Sequence, residues 1–244
     1  MKLLSNLPGI FKALRALGTL TQYRKQIREA RQTGNISEEQ KYILKATSKW
    51  GNKMLELFDA RLDITGKENL PLEGPVVYVA NHQGYADIIA MCAALDTIQF
   101  GFVAKEELKK IPLYGNWIKE IHSVLIKRNN ARESLKAISQ GIKNIEEGFS
   151  MLIFPEGTRS RGKEMASFKK GSLKLATKAK VPIVPISIDG SYKCFEESGK
   201  LQGALIKVKI HPMVETAHLS KEEEKILPKE IETIIREGVR SLQQ

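Results

Sequence analysis

The stretch "VVYVANHQGYADIIAMCAAL", Val76 to Leu95, decides the fold. Its first five residues carry the β-branched and aromatic side chains of a buried strand. A short polar loop with Gly84 follows. From Asp87 the pattern turns helical, with the aspartate near the helix start. Strand, loop and helix in that order open a βαβ unit.

The same grammar recurs downstream. "IQFGFVA" (98–104), "SVLIKR" (123–128), "SMLIFP" (150–155) and "VPIVPISI" (181–188) read as strands, and "LIKVKIH" (205–211) as a late alternating one. Between them, "ARESLKAISQGIKNIEEG" (131–148) is an amphipathic helix ending at glycine, and "GSLKLATKAK" (171–180) is a second helix. "KEEEKILPKEIETIIREGVRSL" (221–242) is helical with an interruption at Pro228. This alternation predicts an α/β domain over 61–244, with a largely parallel sheet flanked by helices.

Residues 1–60 follow a different period. Leu3, Leu4, Leu7, Ile10, Phe11, Leu14, Leu17 and Leu20 fall on one helical stripe, with Lys12 and Arg15 off it. Pro8 suits a first helical turn. "TGN" (33–35) is a turn, and Ser37 with Gln40 reads as a capping box opening a second helix through about Asp59. The prediction is an N-terminal two-helix amphipathic hairpin. Its stripe suits either packing on the rest of the chain or lying on a membrane surface.

Charge bears on that choice. The 244-residue chain has a net charge of +11, which suggests an anionic partner: nucleic acid, a membrane surface or a phosphorylated substrate. Residues 1–31 hold seven Lys/Arg against one Glu, and residues 159–180 hold eight against one. Both runs are also compatible with plain solvated helix faces. The N-terminal excess favours anionic lipid. Two cysteines without a CxxC indicate neither a disulfide framework nor a zinc site, and fit a reducing, cytosolic setting. No uncharged apolar run reaches the roughly 18–20 residues of a transmembrane helix. Lys12 and Arg15 break the first apolar stretch, so it is not read as a cleaved signal peptide.

Two loops hold the chemistry. His82 would sit at the carboxyl end of its strand, where open α/β sheets bind ligands. Histidine suits general base catalysis, and a carboxylate on its second ring nitrogen would fix the tautomer. Gly84 lets the chain fold Asp87 back toward His82; a purely structural His/Asp pair fits the same spacing. There is no GxSxG elbow to supply a serine nucleophile. His122, His211 and His218 lack HExxH spacing, so no metal site is expected. A histidine base without a protein nucleophile suggests direct activation of a substrate hydroxyl. In "SMLIFPEGTRSRG" another strand runs into a loop with Glu156, Gly157, Thr158 and Arg159. Arg159 can grip phosphate bidentately, and Gly157 permits close backbone approach. Lys169 and Lys170 follow near an expected helix N-terminus.

These residues resemble the four motifs of the PlsC-type glycerolipid acyltransferases, in the family's order, across about residues 75–190. "NH" with four residues before Asp87 resembles motif I, "LIKRNN" (125–130) motif II, "FPEGTRS" (154–160) motif III and "VPIVPI" (181–186) motif IV. The chain departs from the pattern at His122, where motif II usually opens with glycine, and at Lys127 before Arg128. The resemblance implies acyl transfer from an acyl carrier protein or coenzyme A thioester to the sn-2 hydroxyl of lysophosphatidic acid, giving phosphatidic acid. It implies His82 as base and Asp87 as its orienter. Glu156, Gly157 and Thr158 belong with the acceptor, Arg159 with its phosphate, and Lys105 and Arg128 with further phosphate contact. No cofactor or metal is required. The expected partners are lysophosphatidic acid, the thioester and an anionic membrane surface, not nucleic acid. The expected location is peripheral or monotopic, on the cytoplasmic face of the cell membrane. The rival readings are an acyltransferase for another lyso-lipid or glycerol 3-phosphate, a thioester hydrolase, and a non-enzymatic basic protein.

Overall fold

A computed structural model of the chain describes residues 16–111, 113–127, 131–169 and 171–244. Seven strands form one sheet: β1 (Arg61–Thr65), β2 (Val77–Ala80), β3 (Phe100–Lys105), β4 (Val124–Ile126), β5 (Ser150–Ile153), β6 (Ile183–Asp189) and β7 (Leu205–Ile210). Their order is β1-β7-β6-β2-β5-β3-β4. Strands β2 to β6 are mutually parallel, β7 is antiparallel to β6, and β1 lies parallel to β7 at the edge. The α/β fold with a largely parallel sheet is therefore the fold found.

The helices are α1 (Gly18–Thr21), α2 (Arg24–Gln32), α3 (Ile36–Leu57), α4 (Ala86–Ala94), α5 (Tyr114–Glu120), α6 (Ala131–Glu146), α7 (Lys174–Ala179) and α8 (Lys221–Leu242). The pleat of each strand sends alternate side chains to opposite faces. Tyr78 and Ala80 of β2 join one core, with Trp50, Met54 and Leu55 of α3 and Ala90 and Met91 of α4. Val77 and Val79 join the other, with Ile145 of α6, Leu175 of α7 and Ile231 and Ile235 of α8. Burying each such aliphatic side chain contributes about 1.5–3 kcal/mol. Both faces of the central strands are covered, which is why they read as continuous apolar runs.

The N-terminal helix pair is present, two expectations within the chain change, and one strand is unexpected. The helix predicted along Leu3 to Leu20 falls mostly outside the described residues; what is described is the short α1, then α2 from Arg24. Asn35 caps α3, not Ser37: its side chain accepts the Glu38 amide at 3.1 Å. Gly34, at φ +69°, brings the chain into that cap. Pro228 does not interrupt α8. A capping box between Ser220 and Glu223 starts the helix, and Leu227, Ile231, Ile235 and Val239 pin it to the sheet on both sides of the proline. That packing offsets the roughly 3 kcal/mol of an interior proline. Strand β1 is not among the expected elements, because "RLDIT" is five residues wedged between a helix end and a proline-bounded turn.

The basic residues of α2 also point elsewhere than expected. Arg24 and Arg28 both meet the Glu120 carboxylate, at 2.6 and 2.9 Å. Arg31 meets Glu39 at 2.6 Å and donates to the Glu120 carbonyl at 2.6 Å. Spaced one turn apart, these three arginines clamp the hairpin to the end of α5. Lys25 faces solvent, with Glu29 beside it. His122 completes the clamp, 2.7 Å from Glu39 and stacked on Phe149. Its φ is +60°, the left-handed region that favours glycine. Glycine at that position meets the backbone demand directly; here the hydrogen bond to Glu39 and the stack hold a histidine there instead.

Candidate active site

Strands β2 and β5 are neighbours, and both loops of interest leave their carboxyl ends. Asn81, the first loop residue, pairs its side-chain amide with the backbone of Ile188 in β6, accepting at 2.7 Å and donating at 2.9 Å. This substitutes for a ladder hydrogen bond and fixes where the chain leaves the sheet. Gln83 reaches Asp189 at 3.0 Å, further tying the loop to β6.

The chain then curls around the Asp87 carboxylate. Asp87 is fully buried in the first turn of α4. Its Oδ2 accepts from the amides of Gln83 and Gly84 at 2.7 and 2.9 Å, and lies 2.7 Å from His82 Nδ1. An oxygen already accepting two N–H groups is an acceptor for the imidazole as well. Nδ1 therefore carries the proton, and Nε2 of the neutral ring keeps its lone pair. Among the described residues nothing takes Nε2. The His82 ring stacks on Phe154 with centroids 4.2 Å apart, which fixes its plane. The pair inferred from spacing is thus brought together.

Glu156 lies behind His82. Its Oε1 accepts the His82 amide at 2.7 Å and its Oε2 the Ala166 amide at 2.8 Å. Both oxygens are occupied by backbone, so the carboxylate ties the motif I loop to the 163–168 segment. Burial pushes its pKa up to about 7, against the lowering effect of those two hydrogen bonds. Further stitches run from the Ser160 amide to the His82 carbonyl at 2.8 Å, and from the Arg161 amide to the Gln83 carbonyl at 3.0 Å. Gly157 has φ +67°, and the Lys169 side chain covers the place where a Cβ would stand.

Arg159 is partly exposed, with its guanidinium carbon 3.6 Å above the Tyr85 ring and Nη1 2.7 Å from Glu196. Tyr85 falls in the motif's variable stretch. Glu196, from the loop after β6, carries no local signature; only the fold delivers it. Thr158 is exposed beside Arg159. Lys105 is exposed at the end of β3, two strands from β2 and so about 10 Å along the sheet. It forms no ion pair among the described residues. Lys169 lies ahead of α7, not on its first turn. Arg128 and Lys170 lie outside the described residues. Elsewhere, His211 is buried against Ser187, 2.8 Å away, and burial lowers its pKa to about 4. It is a structural histidine closed over by α8.

A family model described as Acyltransferase matches residues 61–189. A chloroplastic 1-acyl-sn-glycerol-3-phosphate acyltransferase of Brassica napus is 34% identical over 62% of this chain and 44% of its own length. The chain thus spans less than half of that relative. A 1-acyl-sn-glycerol-3-phosphate acyltransferase of Borreliella burgdorferi is 30% identical over 76% of this chain and 72% of its own. The crystal structure of the 1-acyl-sn-glycerophosphate acyltransferase PlsC from Thermotoga maritima superposes with a TM-score of 0.76. It is 28% identical, covering 100% of this chain and 98% of that one. The chain belongs to the acyltransferase family, and within it stands with the bacterial PlsC-type proteins.

Proposed function

We propose that the chain transfers an acyl group from a thioester, carried by acyl carrier protein or coenzyme A, to the sn-2 hydroxyl of lysophosphatidic acid, forming phosphatidic acid. The observation that carries this reading is the His82–Asp87 pair, with Nε2 unengaged among the described residues and the Arg159 loop hydrogen-bonded to the His82 carbonyl. Nε2 takes the hydroxyl proton as the oxygen attacks the thioester carbonyl. The tetrahedral intermediate collapses, the C–S bond breaks, and the thiolate receives the proton from the imidazolium. Asp87 stabilises that imidazolium and holds its tautomer. Arg159 binds the acceptor phosphate, with Lys105 and Arg128 as further phosphate contacts. Glu156 acts on the backbone of His82, holding the base in place, and Gly157 and Thr158 form the wall beside Arg159.

The acceptor and product are lipids, so the same proposal places the chain on anionic membrane at its cytoplasmic face. With Arg24, Arg28 and Arg31 turned into the clamp, the basic residues left for lipid in the first 31 positions are Lys2, Lys12, Arg15 and Lys25. No helix among the described residues is long and apolar enough to cross a membrane. Removing the whole hairpin is a poor test, because it strips Trp50 and Met54 from the shared core. Charge reversal at Lys2, Lys12 and Arg15 with flotation on anionic vesicles isolates the lipid contact; unchanged flotation refutes it.

The reaction is tested by thioester consumption with lysophosphatidic acid, comparing the wild type with His82→Ala. Turnover by the wild type alone supports the mechanism. Equal rates refute it, and consumption without phosphatidic acid formation marks a hydrolase.

A further inference from the structure

We propose that Glu196 is a positioning residue for Arg159, and that with Tyr85 it presets the guanidinium for the acceptor's phosphate. The inference rests on the reading above, in which Arg159 meets that phosphate.

Three contacts define the arrangement. Glu196 Oε1 accepts from Arg159 Nη1 at 2.7 Å and from the Tyr85 amide at 2.9 Å. The Tyr85 ring supports one face of the guanidinium from 3.6 Å. Arginine is thereby held by one edge and one face. Among the described residues nothing takes Nε or Nη2. Those are the N–H groups of the remaining edge, and they suit two phosphate oxygens in a planar fork. A side chain fixed before the ligand arrives loses less freedom on binding it.

The motif I loop is built around this carboxylate. The Glu196 side chain is 3% exposed. A Cβ on Gly84 would stand 2.5 Å from its Oε2 and 3.2 Å from Tyr192 Cα. The glycine in NHQGYAD therefore does more than let Asp87 fold back. It leaves the space into which Glu196 inserts from the loop after β6. One short turn thus serves the base through Asp87 and the phosphate-binding arginine through Glu196 and Tyr85.

Glu196 Oε1 receives both donors, while Oε2 has no hydrogen-bond partner among the described residues. Glutamine can keep both accepted bonds, so Glu196→Gln separates geometry from charge. Glu196→Ala removes both. The test is steady-state kinetics with each substrate varied in turn, beside thermal melting of each variant. Expected for Glu196→Ala is a rise in KM for lysophosphatidic acid of at least about tenfold, with the thioester KM and kcat within about threefold. Glu196→Gln should recover part of the loss, and Tyr85→Leu should raise the same KM. If the alanine variant does not fold, the glutamine and Tyr85→Leu variants carry the same split. A purely structural role would lower kcat and melting temperature without singling out the acceptor, and that result overturns the proposal. So does an acceptor KM unchanged in these variants while the wild type turns over lysophosphatidic acid. A wild type that accepts only unphosphorylated acceptors overturns both this inference and the function it rests on.

Discussion

His82 Nδ1 lies 2.7 Å from Asp87 Oδ2, five residues along the chain, through an oxygen that also gathers the Gln83 and Gly84 amides. Five positions in a continuous helix would not face each other. The pair meets because His82 precedes α4 and Asp87 sits in its first turn, so the loop closes on the carboxylate as an N-terminal cap would. Two backbone donors and the α4 N-terminus hold the negative charge beside the imidazole. One atom thus organises the loop, fixes the tautomer and balances the charge formed on the ring.

Asp87→Asn should test this division of labour. Asparagine can set its oxygen where Oδ2 stands and accept from Nδ1 and both backbone amides, because Oδ1 has no partner among the described residues, but it brings no negative charge to the imidazole. A kcat loss of about 10³- to 10⁴-fold is expected, as when a triad carboxylate is amidated, with the acceptor KM little changed. The three hydrogen bonds then end on a neutral acceptor, which should lower stability by about 1 kcal/mol in urea unfolding. A kcat within about threefold of wild type would show that the Asp87 charge is dispensable.

How much of the fold and site is legible in the sequence follows from what is local. The strands β2, β5 and β6 are readable because each is buried on both faces and so is apolar throughout. The His82–Asp87 pair is readable because its partners lie in one loop. Glu196 is not, because its link to Arg159 spans 37 residues and depends on β6 lying beside β2. The basic run of α2 misleads for a similar reason. Its countercharge, Glu120, is 92 residues from Arg28, and charge counted along the chain cannot see it. Strand β1 escapes notice because edge pairing with β7 stabilises a segment whose own pattern is only five residues long.

Glu156 gives a pH signature. Its pKa is raised, from the ordinary value of 4.5 to about 7, chiefly by burial. Between those values the folded state holds the proton more tightly than the unfolded state. Its contribution to stability is therefore full below about pH 4.5 and is lost as pH rises through 7. Glu156→Gln does not titrate there. A tenfold difference in proton affinity between the two states is worth about 1.4 kcal/mol, so the stability of wild type relative to this variant should fall by roughly 2 kcal/mol between about pH 5 and pH 8. Urea midpoints of both proteins at the two pH values measure it, and a gap independent of pH would contradict the burial argument.

The clamp on α5 predicts a coupling energy. Arg24 and Glu120 are both largely shielded, 2.6 Å apart. A double-mutant cycle with Arg24→Ala and Glu120→Ala should give about 1 kcal/mol, above the few tenths usual for exposed pairs. Because Arg28 shares the carboxylate, removing Glu120 should destabilise by more than removing either arginine. Equal losses for all three single variants would mean that the arginines are held by packing of their stems, not by charge.

The hairpin also reaches Asp87, through the helix that carries it. In α3, Gly51 passes so close to α4 that a Cβ would stand 2.7 Å from the Ala93 nitrogen and 2.8 Å from the Cys92 carbonyl carbon. Replacing a helix-interior glycine by alanine ordinarily stabilises by about 1 kcal/mol. At Gly51 the sign should reverse, to a loss of about 1–3 kcal/mol, because both neighbours are backbone and cannot rotate away. Among the described residues nothing lies within 4 Å of a would-be Cβ on Gly18 in α1, so Gly18→Ala is the control that should be neutral or stabilising. The displaced element is α4, whose first turn carries Asp87. Gly51→Ala should therefore lower kcat as well as the melting temperature, although Gly51 touches no substrate. A stabilised Gly51→Ala protein with full activity would mean that α3 can move away from α4 without disturbing the His82–Asp87 pair.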